Sequence, residues 1–193
     1  MMKSGDKPFF YEDNYQLVLK SDPDMILIML GTNDAKTYQW NETDYVQSYI
    51  EMADQLLGLN PPPKLYFMIP PPEYREDNRF KINQTIINDR LPVIIPKIAG
   101  QFYLGESNII NIFDALGGKK LESPDYFCND VCCDGTHPVD AGYNKISKTI
   151  YKKLFEEVLF DHDPSQAVKN KLQYYRLKGI KVLTILIGVL CAS

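Results

Sequence analysis

At 193 residues the chain is long enough for one compact domain. Hydrophobic residues make up 45% and charged residues 24%, an ordinary globular composition that excludes global disorder. A net charge of -4 with a pI near 5.2 leaves no broad basic surface to neutralise phosphates, which argues against a nucleic-acid partner.

Residues 1–13 carry Lys3, Asp6, Lys7, Glu12 and Asp13 and have no apolar run that could serve as a signal-peptide core. Residues 24–30 then form a continuous apolar run after a proline and before a glycine, the pattern of a strand buried on both faces of a parallel sheet. Residues 43–59 place Tyr45, Val46, Tyr49, Ile50, Ala53, Leu56 and Leu57 at helical spacing, with Gly58 as the stop. A second strand is predicted over residues 64–69, between two three-proline segments. A helix over 82–98 follows, bent or split by Pro92 and Pro96. A third strand is predicted over 108–113 and a last helix over 141–160. The order βαβαβα predicts an α/β fold, a three-layer α/β/α sandwich on a parallel sheet, with ligands beyond the carboxyl ends of the strands.

From Ile180 to Ala192 the tail is nearly all apolar, yet these 13 residues fall short of the roughly 20 that span a bilayer. Lys169, Lys171, Arg176, Lys178 and Lys181 precede the run, the wrong charge order for a luminal domain held by a stop-transfer helix. Residues 163–193 are therefore expected to lie outside a domain spanning residues 7–162, as a dispensable segment or one that docks on the sheet.

Two constellations carry chemistry. Gly31-Thr32-Asn33-Asp34 follows the first buried strand, where glycine lets the backbone turn sharply and Asn33 can aim its side-chain N–H at a developing oxyanion. The plain alternative is an Asn-Asp turn that caps a helix. Asp134-Gly135-Thr136-His137-Pro138 precedes the last helix, and there Asp134 can accept the imidazole Nδ1–H and leave Nε2 of His137 as general base. Its alternative is a capped helix start with a surface histidine. Asp140 is expected to cap that helix. Trp40 and Tyr38 either line a pocket or pack beneath the first crossover helix.

Taken together, Ile28-Met29-Leu30-Gly31-Thr32-Asn33-Asp34 resembles the third conserved block of the SGNH (GDSL-like) hydrolases, and Asp134-Gly135-Thr136-His137-Pro138 resembles the fifth. Gly142-Tyr143-Asn144-Lys145-Ile146 matches the helix opening usual after the fifth block, so the resemblance covers roughly residues 7–159. It implies a flavodoxin-like sheet and an ester hydrolase acting through an acyl-enzyme on short acyl esters, such as O-acetyl groups on carbohydrate or lipid, without a cofactor or metal. It makes Asn33 an oxyanion donor at the Gly31 turn, His137 the base and Asp134 its orienting partner.

The family's Gly-Asp-Ser block, and the block whose glycine N–H completes the oxyanion hole, do not appear before Asp24. Ser4-Gly5-Asp6 has the letters in another order, with no apolar strand before it. The chain is thus expected to be an incomplete copy that lacks the nucleophile and the first strand, with an open apolar edge where that strand would lie. A non-catalytic ligand-binding module is the alternative. Cys128, Cys132 and Cys133 crowd the Asp134–His137 loop, where a disulfide from Cys128 would stiffen it, and the lack of paired Cys-x-x-Cys knuckles argues against zinc. With the acceptor tripeptides Asn41-Glu42-Thr43 and Asn83-Gln84-Thr85, these cysteines favour an oxidising lumen or the exterior. His162 is expected to be a solvated loop residue.

Overall fold

In the computed structural model, which describes residues 1–78, 80–120, 126–127, 135–156 and 182–186, the chain is a mixed α/β protein built on a parallel sheet. Pro23 and Gly31 bracket the first apolar run, which forms β1 (Met25–Met29). Helix α2 (Glu42–Leu57) leads to β2 (Lys64–Ile69), and α3 (Leu91–Gln101) leads to β3 (Ile109–Asn111). A short helix α1 (Asp13–Lys20) precedes β1, a single turn α4 (Ile112–Ala115) follows β3, and α5 (Asp140–Tyr151) comes after the histidine loop. A last strand, β4 (Val182–Leu186), completes the order β3-β2-β1-β4 with every pairing parallel.

Because side chains alternate along a strand, the apolar run of β1 feeds two separate cores. Ile26 and Ile28, with Leu65 and Phe67 of β2, enter a cluster with Tyr45, Tyr49, Met52 and Leu56 of α2 and Leu91, Ile95 and Ile98 of α3. Met25 and Leu27, with Tyr66 and Met68, enter a second cluster with Ile110, Ile112, Ile146 and Leu154. Each such side chain contributes about 1.5–3 kcal/mol on burial, so a polar residue anywhere in β1 would disrupt one core or the other.

Asn41 caps α2 by accepting from the Asp44 N–H at 3.1 Å, which sets the helix start one residue ahead of the predicted one. Two predicted elements differ more. The third strand stops at Asn111 because the Asn111 side chain accepts from the Asp114 N–H at 2.9 Å and turns the chain into α4. The helix predicted from residue 82 begins at residue 84 and passes through a wide π-turn (Ile86–Arg90) before α3. Pro92 sits in the first turn of α3, directly after the π-turn, while Pro96 lies inside the helix.

The N-terminal segment, read only as charged and without a strand, packs Met2, Phe9, Phe10 and Tyr15 into the first core. Tyr15 donates to Gln55 Oε1 at 2.7 Å, and burial, helped by the Glu51 charge, pushes its hydroxyl up to about 12. The β1 edge expected to be open is paired with β4, in register from Met25↔Val182 to Met29↔Leu186. Among the described residues no helix is long and apolar enough to cross a membrane.

Candidate functional site

Beyond the carboxyl end of β1, Gly31 takes φ 135°, a left-handed value that favours glycine. A Cβ there would lie 2.8 Å from Leu91 Cδ1 and 2.9 Å from Tyr45 Oη, so crowding adds to the backbone constraint. The Tyr45 hydroxyl is wholly buried and donates to the Leu30 carbonyl at 3.0 Å. Burial, with Tyr49 and Asp34 nearby, holds its pKa well above the usual tyrosine range and keeps this donor protonated. Gly31→Ala should therefore cost about 2–3 kcal/mol and lower the thermal midpoint by about 5–10 °C, measured by calorimetry. An unchanged midpoint would mean that the turn is not tightly specified.

The turn itself closes with Ala35 N–H donating to the Gly31 carbonyl at 3.0 Å. Asp34 is buried and accepts from the Met2 N–H at 2.7 Å. The carbonyl of Asn33 accepts from Gln39 Nε2 at 2.7 Å, which fixes the backbone of that residue. Its side chain is half-buried, and among the described residues no hydrogen bond holds its amide. The backbone is clamped while the donor stays available. Trp40 packs against Tyr45 at a ring distance of 5.1 Å, whereas Tyr38 is exposed with its hydroxyl on Asp6.

At the end of β2 the chain runs through Pro70, Pro71 and Pro72 to Glu73, which is 1% exposed. Asn88 grips the main chain of Glu73 from both sides, accepting from its N–H at 3.0 Å and donating to its carbonyl at 3.0 Å. Gln84 Nε2 adds a bond to the same carbonyl at 3.2 Å. Asn78 ties the following loop, donating to the carbonyls of Arg75 (3.0 Å) and Ile82 (2.8 Å) and accepting from the Ile82 N–H (2.8 Å). The loop then joins the turn after Asn33: Thr37 N–H donates to Lys81 at 3.0 Å and Asn83 N–H to Ala35 at 2.8 Å.

The histidine loop docks on the other side of this segment. Tyr74 N–H donates to the Gly135 carbonyl at 3.3 Å, and Thr136 Oγ1 donates to Glu73 Oε2 at 3.0 Å. Gly135 has φ 75°, and a Cβ there would come within 2.6 Å of the Arg75 side chain. His137 meets Phe80 edge to face at 5.8 Å. Past the histidine, Val139 N–H donates to the Tyr126 carbonyl at 2.9 Å, and Gly142 lets α5 approach closely, since a Cβ there would lie 2.6 Å from Pro138 Cβ. The expected cap by Asp140 is not found: Val139 holds the cap position without a side-chain bond, and Asp140 lies in the first turn, where its charge suits the helix dipole.

The structure thus brings the Asn33 turn and the His137 loop onto one segment, residues 73–83, at the carboxyl end of the sheet. Asp134, Cys128, Cys132, Cys133 and His162 lie outside the described residues. The described serine hydroxyls are placed elsewhere: Ser4 and Ser48 on Asp44, Ser21 on Val18, Ser107 on Asn108 and Ser147 on Tyr143. Among the described residues no group of three His, Cys, Asp or Glu side chains could hold a metal ion. Glu73, Asn78 and Asn88 were missed in the sequence. The one signal for them was an acidic residue directly after a three-proline strand end.

The family model described as GDSL-like lipase/acylhydrolase matches residues 3–145. An acetylxylan esterase from Xylanibacter ruminicola is 24% identical over 171 residues, an alignment covering 78% of this chain and 32% of that protein. The chain therefore spans about a third of the length of that relative.

Proposed function

The chain belongs to the GDSL-like lipase/acylhydrolase family, and on that premise we propose that it forms the oxyanion-and-base part of a serine ester hydrolase for short acyl esters. O-acetyl groups on carbohydrate are the first candidates, given the acetylxylan esterase relative, with lipid esters second. In this reading the Gly31 turn presents the Asn33 amide N–H to the developing oxyanion. His137 takes the nucleophile's proton and returns it to the leaving alcohol, while Asp134 orients the imidazole. The nucleophile belongs to a Gly-Asp-Ser block that these 193 residues do not contain. We further place the sheet at the centre of a three-layer α/β/α sandwich, and the protein in a lumen or outside the cell.

One observation carries the reading: residues 73–83 hold both the turn that bears Asn33 and the loop that bears His137. A non-catalytic binding module is the second reading, favoured by the placement of the described serine hydroxyls on other partners. The purified chain should turn over p-nitrophenyl acetate no faster than solvent background, and a polypeptide that adds a Gly-Asp-Ser block should turn it over saturably. Saturable turnover by the 193-residue chain itself, abolished in His137→Ala, would place the nucleophile among its own residues. Inactivity of the longer polypeptide would favour the binding module.

A further inference from the structure

Glu73 is a buried carboxylate that the reaction described above does not use. Placing such a group at 1% exposure is costly unless hydrogen bonds compensate it, and Glu73 Oε1 accepts one from the Arg75 N–H at 3.4 Å. Its main chain is fixed by both atoms of the Asn88 amide and by Gln84, so the side chain starts from a rigid base. Oε2 then accepts from Thr136 Oγ1 at 3.0 Å, and Thr136 immediately precedes His137. The neighbouring residue repeats the link, with Tyr74 N–H on the Gly135 carbonyl.

We propose that Glu73 is a positioning residue of this site, which acts through the Thr136 hydroxyl to hold the main chain bearing His137 against the end of β2. Two geometric facts support it. Gly135 has a left-handed φ and lies directly against the Arg75 side chain, a fit that any side chain at residue 135 would prevent. The ring of His137 sits edge-on to Phe80, whose loop is tied by Asn78 to the same segment. A base must be held to well under 1 Å to work efficiently, and the Thr136–Glu73 bond fixes the residue next to it. The inference rests on reading His137 as the base, but its test does not depend on turnover.

The test is carbon–proton NMR of the two histidine rings in the chain as it stands, with His162→Gln to assign them. Glu73→Gln and Thr136→Val should shift and broaden the His137 ring signals while leaving those of His162 close to wild type, in a chain that is less stable but still folded. Thr136→Ser, which keeps the hydroxyl, should restore the His137 signals. If His137 is unmoved in Thr136→Val, or if Thr136→Ser displaces it as far as Thr136→Val does, the proposal is overturned. Should Glu73→Gln fail to fold, the Thr136 pair decides alone. If instead the ring signals respond as expected while His137→Ala leaves the turnover of the longer polypeptide with its Gly-Asp-Ser block unchanged, the esterase reading fails and the positioning role stands.

Discussion

Replacing Asn33 by alanine should lower kcat for a short acyl ester about 100-fold or more and leave KM little changed, in a polypeptide that joins these residues to a Gly-Asp-Ser block. The split follows from where the charge appears. An oxyanion donor meets little charge on the ground-state carbonyl oxygen and a full charge in the tetrahedral state, so its loss falls on the chemical step. The fold should survive, because the tertiary bond at this residue is made by its carbonyl, which accepts from Gln39, and its amide carries none among the described residues. His137→Ala should cost at least as much, since it removes the proton acceptor altogether. Should Asn33→Ala be kinetically silent with its thermal midpoint intact, Asn33 is a turn residue only, and the assignment of the site to this end of the sheet fails with it.

Much of the scaffold was legible because its signals are local. A strand buried on both faces must be apolar throughout, and β1 and β2 are, so a run between a proline and a glycine was enough. The periodicity of α2 was as plain, since Tyr45, Tyr49, Met52 and Leu56 all face one core. The third strand was overextended because Ile112 and Phe113 are as apolar as the strand before them. What ends the strand is a side-chain bond from Asn111, which has no periodic signature.

The supporting polar web was hidden for a stronger reason. Thr136 and Glu73 are 63 residues apart, and Glu73 and Asn88 are 15 apart, so neither pairing follows any local spacing. Such bonds depend on which loops the sheet brings to one edge, and that is known only after the strands are in order. The candidate site residues were picked out by position and type, and the positions hold: Asn33 lies after a strand end and His137 before a helix. That these two meet through a third segment was not legible.

Deleting residues 163–193 should strip the protein of solubility and lower the thermal midpoint by more than about 10 °C in whatever remains soluble. The sequence alone left two readings, a dispensable tail or a segment that docks on the sheet, since its charge order contradicts a membrane anchor and its apolar run is short. The structure adds a fact that changes the expected result: Val182–Leu186 pairs in parallel with all five residues of β1. Without it, the backbone donors and acceptors along that side of β1 lose their partners next to a strand that is almost entirely apolar. A long apolar edge of that kind recruits other copies. A milder pair of variants separates strand pairing from mere bulk. Neighbouring residues of an edge strand turn their N–H groups to opposite sides, so of Leu183→Pro and Thr184→Pro one removes a ladder donor toward β1 and the other does not. One should aggregate, seen as light scattering on warming, and the other should be tolerated better. If the deletion leaves solubility and midpoint unchanged, β4 contributes nothing to the domain and the tail is dispensable after all.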